Sequence, residues 1–368
     1  MTGISFYFFL FLSLSVIHFG YDIYFLVGLW RKPKFKSHHE GASIVVAARN
    51  EVENLKELIP KLFNQNHDNF EVVVALNYTH DGSYEALLDM KKKYTSLSIV
   101  NIDKVPDHIN AKKYAITLAI KAAKNDIIIL TDADCKPVSD LWVAEMVNGF
   151  ANNKEIVLGY SPYERTTGLV HFLTQFDTRQ TAIQYMASGK NRFPYMGVGR
   201  NLAYRKKFFI GKNGFNGFQN IKGGDDDLFV NKHATSKNTY VQLSPQSFVT
   251  TKPEKNLKRY YKQKLRHLSV GKYYNMRSKM FLGLFSLAHL GIWLLGFLLL
   301  FSTNYAISIP VIFLITYLPF LVIFVVFNRK SRSKFAIPLV ILMDVVFSFF
   351  YIFVGIHAMF TKRIEWTN

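Results

Sequence analysis

The sequence predicts an α/β domain, with a mostly parallel sheet covered by helices on both faces, joined to transmembrane helices. Short β-branched segments alternate with helical segments through residues 40–252, which is the order of parallel strands with crossover helices. Two of the strand segments, EVVVAL and DIIIL, are apolar at every position after the first, as strands buried on both faces are. Long apolar runs at the start of the chain and beyond residue 280 predict the membrane part.

The composition agrees with a membrane protein that carries one soluble domain. The 368 residues are 49% hydrophobic and include 33 Phe, more apolar material than a soluble domain with 19% charged residues needs. The net charge of +19 suits an anionic membrane surface or phosphate-bearing substrates. Nucleic acid is disfavoured as a partner, because the basic residues flank apolar segments and no recognition module occurs. Cys135 is the only cysteine, which excludes an intrachain disulfide and a cysteine-based zinc site.

Residues 1–30 are predicted to form a transmembrane anchor. The apolar run Ile4–Trp30 lacks the basic start and the small-residue cleavage site of a signal peptide. Four cations follow it directly: Arg31, Lys32, Lys34 and Lys36. By the positive-inside rule, these cations place the next domain in the cytosol.

The predicted α/β domain spans residues 40–252. Its expected elements are strand Ala42–Ala48, helix Glu53–Phe63, strand Glu71–Leu76, helix Tyr84–Tyr94, strand Ser98–Ile102, helix Ala111–Lys124 and strand Asp126–Leu130. Ligands of such folds bind at the carboxyl ends of the strands. Functional residues are therefore expected directly after these strands.

Residues 253–279 are predicted to form a basic helix at the membrane surface, because cations alternate with tyrosines there. Gln263, Arg266 and His267 lie within about one helical turn of each other. They are therefore expected to share a face that could bind a diphosphate.

Residues 280–360 contain the C-terminal membrane segments. Phe281–Phe301 and Tyr305–Phe327 are each long enough to cross about 30 Å of hydrocarbon. The turn between them is uncharged, whereas Asn328–Lys334 is basic. This charge distribution agrees with one segment leaving the cytosol and the next returning to it.

The third apolar stretch, Phe335–Phe360, permits two arrangements. A full crossing would put Lys362 and Arg363 outside, against the positive-inside rule. A re-entrant or interface-lying segment would keep both cations inside. We expect a crossing, with the re-entrant form as the alternative.

Asp132 and Asp134 follow the apolar strand DIIIL with one small residue between them. At the end of a buried strand, both carboxylates can reach one cation. Oxygen-only ligation selects hard ions such as Mg²⁺ or Mn²⁺, which take further ligands from phosphate. The structural alternative is a turn in which Asp134 caps a helix beginning in KPVSDLW.

The second acidic cluster is Gly223–Gly224–Asp225–Asp226–Asp227. Three adjacent carboxylates repel one another, so at least one is expected to have a raised pKa or a cationic neighbour. Such a carboxylate suits a general base that takes a proton from a hydroxyl. The alternative is an acidic N-terminus for the helix Leu228–Ala234, where the helix dipole favours negative charge. Both interpretations can hold together.

Six motifs, AARNE, NYTHDGS, NAKKYAI, LTDADC, GGDDDL and QKLRH, occur in an order that resembles the family 2 glycosyltransferases. The closer resemblance is to bacterial membrane members with an N-terminal anchor and several C-terminal spans. It covers the whole soluble domain and implies a GT-A fold, a Rossmann-like mostly parallel sheet. It also implies a nucleotide-diphosphate sugar donor, Mg²⁺ or Mn²⁺ as cofactor, and inversion at the anomeric carbon.

The resemblance also implies roles for single residues. Donor-binding residues would be Ala48, Arg49, Glu51, Asn77, Lys112, Asp132, Gln263 and Arg266. Asp134 and Asp132 would bind the metal, and Asp226 would be the general base, with Asp225 as the alternative. Asp227 and His267 would lie on the acceptor side.

The sequence departs from the family pattern at two places. Leu76 and Asn77 stand where the family often has paired acids, which leaves the base of the nucleotide open. His267 replaces the usual Trp of the last motif. In polymer-forming members of the family, an aromatic side chain of this motif forms a platform for the acceptor sugar. The replacement by His therefore favours transfer of a single sugar over processive synthesis.

Together these features predict an inverting, metal-dependent glycosyltransferase with a lipid or lipid-linked acceptor. We expect a multi-pass protein of the inner (plasma) membrane with its catalytic domain in the cytosol. A processive polysaccharide synthase would use the same residues but needs a channel, for which the spans are few. A non-catalytic membrane scaffold is the third interpretation, although it would need neither acidic cluster.

Overall fold

The computed structural model describes residues 3–31 and 37–360, in two compact units. The α/β unit comprises Pro33–His171 and Arg192–Lys255, and the helical unit comprises Met1–Lys32, Phe172–Asn191 and Asn256–Asn368. Five cations considered above for membrane orientation lie outside the described residues: Lys32, Lys34, Lys36, Lys362 and Arg363.

The strands and helices have the following bounds. The strands are β1 (Ala42–Ala48), β2 (Phe70–Asn77), β3 (Leu97–Ile102), β4 (Ile127–Asp132), β5 (Cys135–Pro137), β6 (Ile156–Leu158), β7 (Leu202–Arg205), β8 (Thr239–Val241) and β9 (Val249–Thr251). The helices are α1 (Gly3–Trp30), α2 (Val52–Phe63), α3 (Ser83–Lys93), α4 (Ala111–Ala122), α5 (Trp142–Asn148), α6 (Leu169–Lys190), α7 (Lys206–Gly211), α8 (Asp227–His233), α9 (Leu257–Val270), α10 (Met276–Leu300), α11 (Ser308–Lys330) and α12 (Pro338–Phe360).

The main sheet of the α/β unit has seven strands in the order β3-β2-β1-β4-β7-β6-β8. β3, β2, β1 and β4 are parallel. The apolar side chains of β2, β1 and β4 are almost all buried, whereas Ile99 and Val100 of the edge strand β3 are only partly buried. β7 pairs antiparallel with both β4 and β6, whereas β6 and β8 are parallel. The predicted mostly parallel sheet with flanking helices is confirmed: among these strands β7 alone runs against the others, and it pairs with β4, the strand that carries Asp132.

A two-stranded sheet follows the acidic pair. β5 pairs antiparallel with β9, so that Cys135 lies opposite Thr251. The next helix, α5, begins only at Trp142. The structural alternative for Asp134 is therefore wrong: Asp134 leads into a strand and caps no helix.

The helical unit contains four helices that are long and apolar enough to cross a membrane: α1, α10, α11 and α12. Their mean hydropathy over the most apolar window ranges from 1.7 to 2.7. Between α1 and α6 the backbones approach closely, because a Cβ at Gly28 would contact the Ala187 backbone. Glycine is needed at that crossing.

The polar residues that interrupt these apolar helices meet inside the unit. His18 Nε2 lies 2.7 Å from His289 Nδ1, which joins α1 to α10. Asp344 of α12 accepts hydrogen bonds from Trp293 Nε1 at 3.0 Å and from Tyr317 OH at 3.1 Å. Because each partner lies on another helix, this network connects α12 to α10 and α11 near the middle of those helices.

Candidate functional site

The acidic pair lies at the carboxyl end of β4, which runs parallel to β1, and ligands of such sheets bind at this end of the strands. Asp132 is the final residue of β4. Asp134 is held by β9, because Thr251 Oγ1 donates a hydrogen bond of 2.9 Å to Asp134 Oδ2. Both carboxylates are half-buried. The sheet edge and the β5–β9 pair therefore fix the spacing of the two carboxylates.

Asp132, Asp134 and Cys135 each have a ligand atom within 4.8 Å of the others. Burial, and then the carboxylates of Asp134 and Asp132, hold the pKa of the Cys135 thiol well above its usual value. The thiol therefore stays protonated and is a poor metal ligand. The oxygens of Asp132 and Asp134 are the better candidates for ligands, and an oxygen-only set would fit a hard divalent ion.

Glu51, at the end of β1, adds a third acid to this region. Burial, and then the carboxylates of Asp134 and Asp132, raise its pKa. Asn54 Nδ2 donates a hydrogen bond of 2.6 Å to Glu51 Oε2. A carboxyl group whose pKa is raised by two neighbouring carboxylates fits a site that binds a cation.

The ends of β1 and β2 are joined by side-chain contacts to backbone. Asp81 Oδ2 accepts a hydrogen bond of 2.9 Å from the backbone N–H of Val52. Asn50, whose φ is positive at 53°, accepts one of 3.0 Å at Oδ1 from the backbone N–H of His80. These contacts hold together the loops that carry the predicted donor-binding residues. Of those residues, Ala48 and Asn77 are buried and Arg49 is exposed.

Lys112 connects the two acidic motifs. It lies in the first turn of α4, and its Nζ is 3.0 Å from Asp132 Oδ1 and 3.1 Å from Asp225 Oδ2. Burial opposes its charge, but the surrounding carboxylates, of which Asp132 has the strongest effect, hold its pKa well above the usual lysine value. One ammonium therefore brings together acids that are far apart in the sequence.

The carboxylates of Asp225 and Asp226 have different surroundings. Asp226 caps α8: its Oδ1 accepts from the Asp227 backbone N–H at 2.8 Å, and its Oδ2 accepts from the Gly199 N–H at 2.6 Å. Burial and the neighbouring Asp225 raise the pKa of Asp226. Asp225 is buried and turns toward Lys112. Asp227 donates its backbone N–H to Asp226, and its own Oδ1 accepts from the N–H of Leu228 at 2.8 Å. The cluster therefore caps a helix and also faces a cation, whereas its role as a general base stays a prediction.

Lys113, next to Lys112, supports the loop before the triplet. Its fully buried ammonium donates to three backbone carbonyls, of Phe218 at 2.8 Å, Ile221 at 2.7 Å and Gly223 at 2.6 Å. Burial lowers the pKa of Lys113 to about 8. The family resemblance selected Lys112, but no local sequence signal predicts the role of Lys113.

Arg200 is a second cation that sequence reasoning missed. Its guanidinium lies over the ring of Tyr163, with 5.0 Å from Cζ to the ring centroid. Burial opposes its charge, but Tyr163, Cys135 and Asp132 together raise the pKa of Arg200. The pairing of β4 with β7, in which Leu130 lies opposite Leu202, carries Arg200 to the end of the strand that holds Asp132. A long-range pairing of this kind has no local sequence signal.

Gln263, Arg266 and His267 lie on α9, in the helical unit. Gln263 and Arg266 are half-buried, and His267 is exposed. Their assignment to the diphosphate and to the acceptor side stays a prediction.

The fold and the acidic pair define a class of protein. A mostly parallel sheet with helices on both faces and an Asp-x-Asp pair at the carboxyl end of a central parallel strand is the arrangement of a GT-A-type glycosyltransferase. The solved mannosyltransferase PcManGT from Pyrobaculum calidifontis, in complex with GDP-Man and Mn²⁺, is similar with a TM-score of 0.61 and 15% identity. The similarity covers 96% of this chain and 99% of that one, and it shows the fold.

Residues 43–213 match the model of glycosyl transferase family 2. The chain therefore contains a domain of that family, and the protein is a glycosyltransferase. Residues 1–349 of S. aureus TarS are similar at a TM-score of 0.43 and 13% identity, covering 89% of this chain and 94% of that one. That lower similarity adds nothing to the assignment. A search of curated proteins found no match.

Proposed function

We propose that this glycosyltransferase moves a sugar from a nucleotide diphosphate to a lipid or lipid-linked acceptor at the cytosolic face of the plasma membrane, with inversion at the anomeric carbon. The observation that carries this proposal is the position of Lys112, which contacts Asp132 and Asp225 at once. The metal-binding pair and a candidate base thereby belong to one site. The fold and the Asp-x-Asp pair support a nucleotide sugar as the donor.

Asp132 and Asp134 would hold Mn²⁺ or Mg²⁺, which neutralises charge on the departing diphosphate when it is bound. The oxygen-only pair and the nearby acid Glu51 support this assignment. The ion in the Pyrobaculum complex is Mn²⁺, which makes Mn²⁺ the first ion to test. Lys112 contributes a fixed positive charge beside the same pair.

We propose Asp225, in preference to Asp226, as the general base. Both carboxylate oxygens of Asp226 accept backbone N–H groups, so its role is to hold the triplet in place. Asp225 is turned toward Lys112, which also contacts Asp132. In the reaction Asp225 takes the proton of the acceptor hydroxyl. The oxygen then bonds to the anomeric carbon as the bond from that carbon to the diphosphate breaks on the opposite side.

The lipid acceptor is supported by the four apolar helices and by the basic helix α9. We propose that α1, α10 and α11 cross the membrane and that α12 is re-entrant. α9 runs beside α12 in the same direction, because Tyr260 and Tyr261 contact Phe350, while Leu265 packs on Val354 and Ala358.

This packing bears on the depth of α12. α9 carries exposed cations, among them Lys258 and Lys262, which are costly to place in hydrocarbon. The second half of α12 must therefore lie near the interface with α9, although Asp344 in its first half contacts α10 and α11 near their centres. A reporter fused after residue 368 should then be active in the cytosol. Activity only outside the cytosol would refute the re-entrant arrangement and restore a full crossing.

The catalytic proposal is tested with membranes from cells that express wild type or Asp225→Asn, given labelled nucleotide sugars and Mn²⁺. Wild type should place label in the organic extract, and Asp225→Asn should abolish transfer while it still binds the donor. Asp89→Asn, the same change on the exposed face of α3, should behave as wild type. Full transfer by Asp225→Asn would refute the base assignment.

Asp226→Asn alone does not identify the base. An amide nitrogen would face a backbone N–H donor at one of its two hydrogen bonds, so the triplet itself would shift.

The location of the label separates the acceptors: label in insoluble polymer, with none in the organic extract, would favour a processive synthase.

A further inference from the structure

An apolar groove of about 370 Å³ lies within the helical unit, between α6, α9 and α12. Its walls include Leu173 of α6, Leu257 and Tyr261 of α9, and Val346 and Phe350 of α12. The side chain of Lys258, an exposed cation of α9, also belongs to the lining. Leu257 and Val346 are 48% and 41% exposed. The groove is therefore an open apolar channel beside an exposed cationic side chain.

A buried polar cluster holds the three helices of the groove in place. Asp177 of α6 is fully buried and accepts a hydrogen bond of 2.8 Å from Tyr260 OH of α9. The Asp177 carboxylate also contacts Lys264 of α9 and Tyr351 OH of α12. Charged groups paired in this way fix the relative positions of the helices that carry them. The groove is thus preformed, as ligand-binding sites usually are.

The depth of the groove in the membrane follows from the packing of α9 along α12. α9 exposes its cations Lys258, Arg259 and Lys262 and therefore lies at the headgroups. A groove between this helix and an apolar helix receives hydrocarbon from the membrane side and an anionic group from the headgroup side. Only a lipid supplies both groups in one molecule.

The chain connects both walls of the groove to segments of the acidic site. α9 follows β9, whose Thr251 donates to Asp134. α6 follows the segment of Tyr163, over which Arg200 lies. Both walls of the groove are therefore continuous in sequence with segments that carry the acidic site.

We propose that the groove binds the hydrocarbon chain of the lipid acceptor, with Lys258 at the anionic group that joins the chain to the accepting hydroxyl. This inference rests on the proposed lipid acceptor and adds the residues that bind it. The apolar walls select a long chain, and the single cation selects an anionic lipid over a neutral one.

The proposal is tested by filling the groove from either wall. Val346→Trp fills it from α12 and Leu257→Trp from α9, while Leu342→Trp, on the exposed face of α12 outside the lining, is the matched control. Wild type and variants in phosphatidylcholine vesicles receive labelled donor, Mn²⁺ and increasing amounts of lipid extract from the expressing cells.

Both fillers should raise the apparent KM for the extract at least tenfold and leave the Kd for the nucleotide donor unchanged. Leu342→Trp should stay within twofold of wild type. Lys258→Met should also raise the apparent KM, without a change in donor binding. A wild-type KM in both fillers would overturn the proposal.

A second measurement keeps the groove testable if no lipid product forms. A phosphatidic acid with a diazirine at the end of one acyl chain should label peptides of α9 and α12 in wild type, and both fillers should lose most of the label. Undiminished labelling in the fillers would overturn the groove even where transfer occurs. Labelling lost in the fillers, with no transfer to lipid by wild type, would refute the lipid acceptor while the groove stands as a lipid site.

Discussion

Lys113→Met should loosen the loop that carries the catalytic triplet. Hydrogen bonds from a charged donor contribute about 1.5–3 kcal/mol each, so the three to backbone carbonyls contribute roughly 5–9 kcal/mol. Burial of the ammonium offsets part of this. The pKa of Lys113 lies at about 8 instead of 10.5, which corresponds to about 3 kcal/mol. Subtracting about 3 kcal/mol from that range leaves a net loss of local stability of roughly 2–6 kcal/mol on substitution.

Amide hydrogen exchange of the full-length protein measures this loss of local stability in the loop itself. Opening of residues 218–224 should become easier, and their amides should exchange roughly 30-fold to 10⁴-fold faster in Lys113→Met. The kcat should fall with it, because Asp225 follows that loop, whereas donor affinity should change little. Lys121→Met, on the exposed face of the same helix, is the control. Unchanged exchange of 218–224 in Lys113→Met would refute the role assigned to the three carbonyl contacts.

The pH dependence separates this local role from global stability. The folded-state pKa of Lys113 is lowered to about 8, so above that pH the unfolded chain binds more protons than the folded one. The contribution of Lys113 to the free energy of unfolding therefore rises between about pH 8 and 10.5. A neutral amine, however, has only two N–H donors for three carbonyls. The kcat of wild type should fall above pH 8 without a loss of thermal stability from this group, and Lys113→Met should lack that fall.

Two further substitutions test the supports of the acidic groups. Gly199→Ala places a Cβ 3.2 Å from Asp226 Oδ2, so the carboxylate must shift by a few tenths of an ångström. The kcat should fall roughly tenfold while donor binding is retained. A wild-type kcat would contradict the anchoring role of Asp226. Thr251→Val removes the hydroxyl that donates to Asp134 and should weaken Mn²⁺ binding about 10–100-fold in a titration of metal-dependent donor binding. Thr250→Val, whose hydroxyl contacts a backbone carbonyl elsewhere, should bind Mn²⁺ as wild type does.

The parallel half of the sheet was predictable because its strands are buried on both faces. β1, β2 and β4 are apolar almost throughout, and the Asp-x-Asp pair follows β4 at the edge where ligands bind. The pattern of these strands therefore indicates both the fold and the place of the acidic pair. The other side of the sheet, formed by β7, β6 and β8, has no such pattern, since β6 and β8 have only three residues each.

The side-chain partners within the site were not predictable in the same way. Lys112 and Lys113 are adjacent and chemically identical, yet one faces carboxylates and the other faces carbonyls. The contact of Gly199 with Asp226 joins residues 27 positions apart. Such pairings depend on the assembled fold, and a single sequence carries no signal for them.

The first turn of α4 explains why two lysines of one dipeptide serve different parts of the site. Successive residues of a helix point about 100° apart, so Lys112 and Lys113 cannot face the same group. Lys112 reaches the carboxylates of Asp132 and Asp225. Lys113 binds the backbone that leads to Asp225 through the Gly223 carbonyl. A shift of this turn would move the Lys112 ammonium beside Asp132 and, through Lys113, the loop that leads to Asp225. One helical turn therefore positions both acidic motifs.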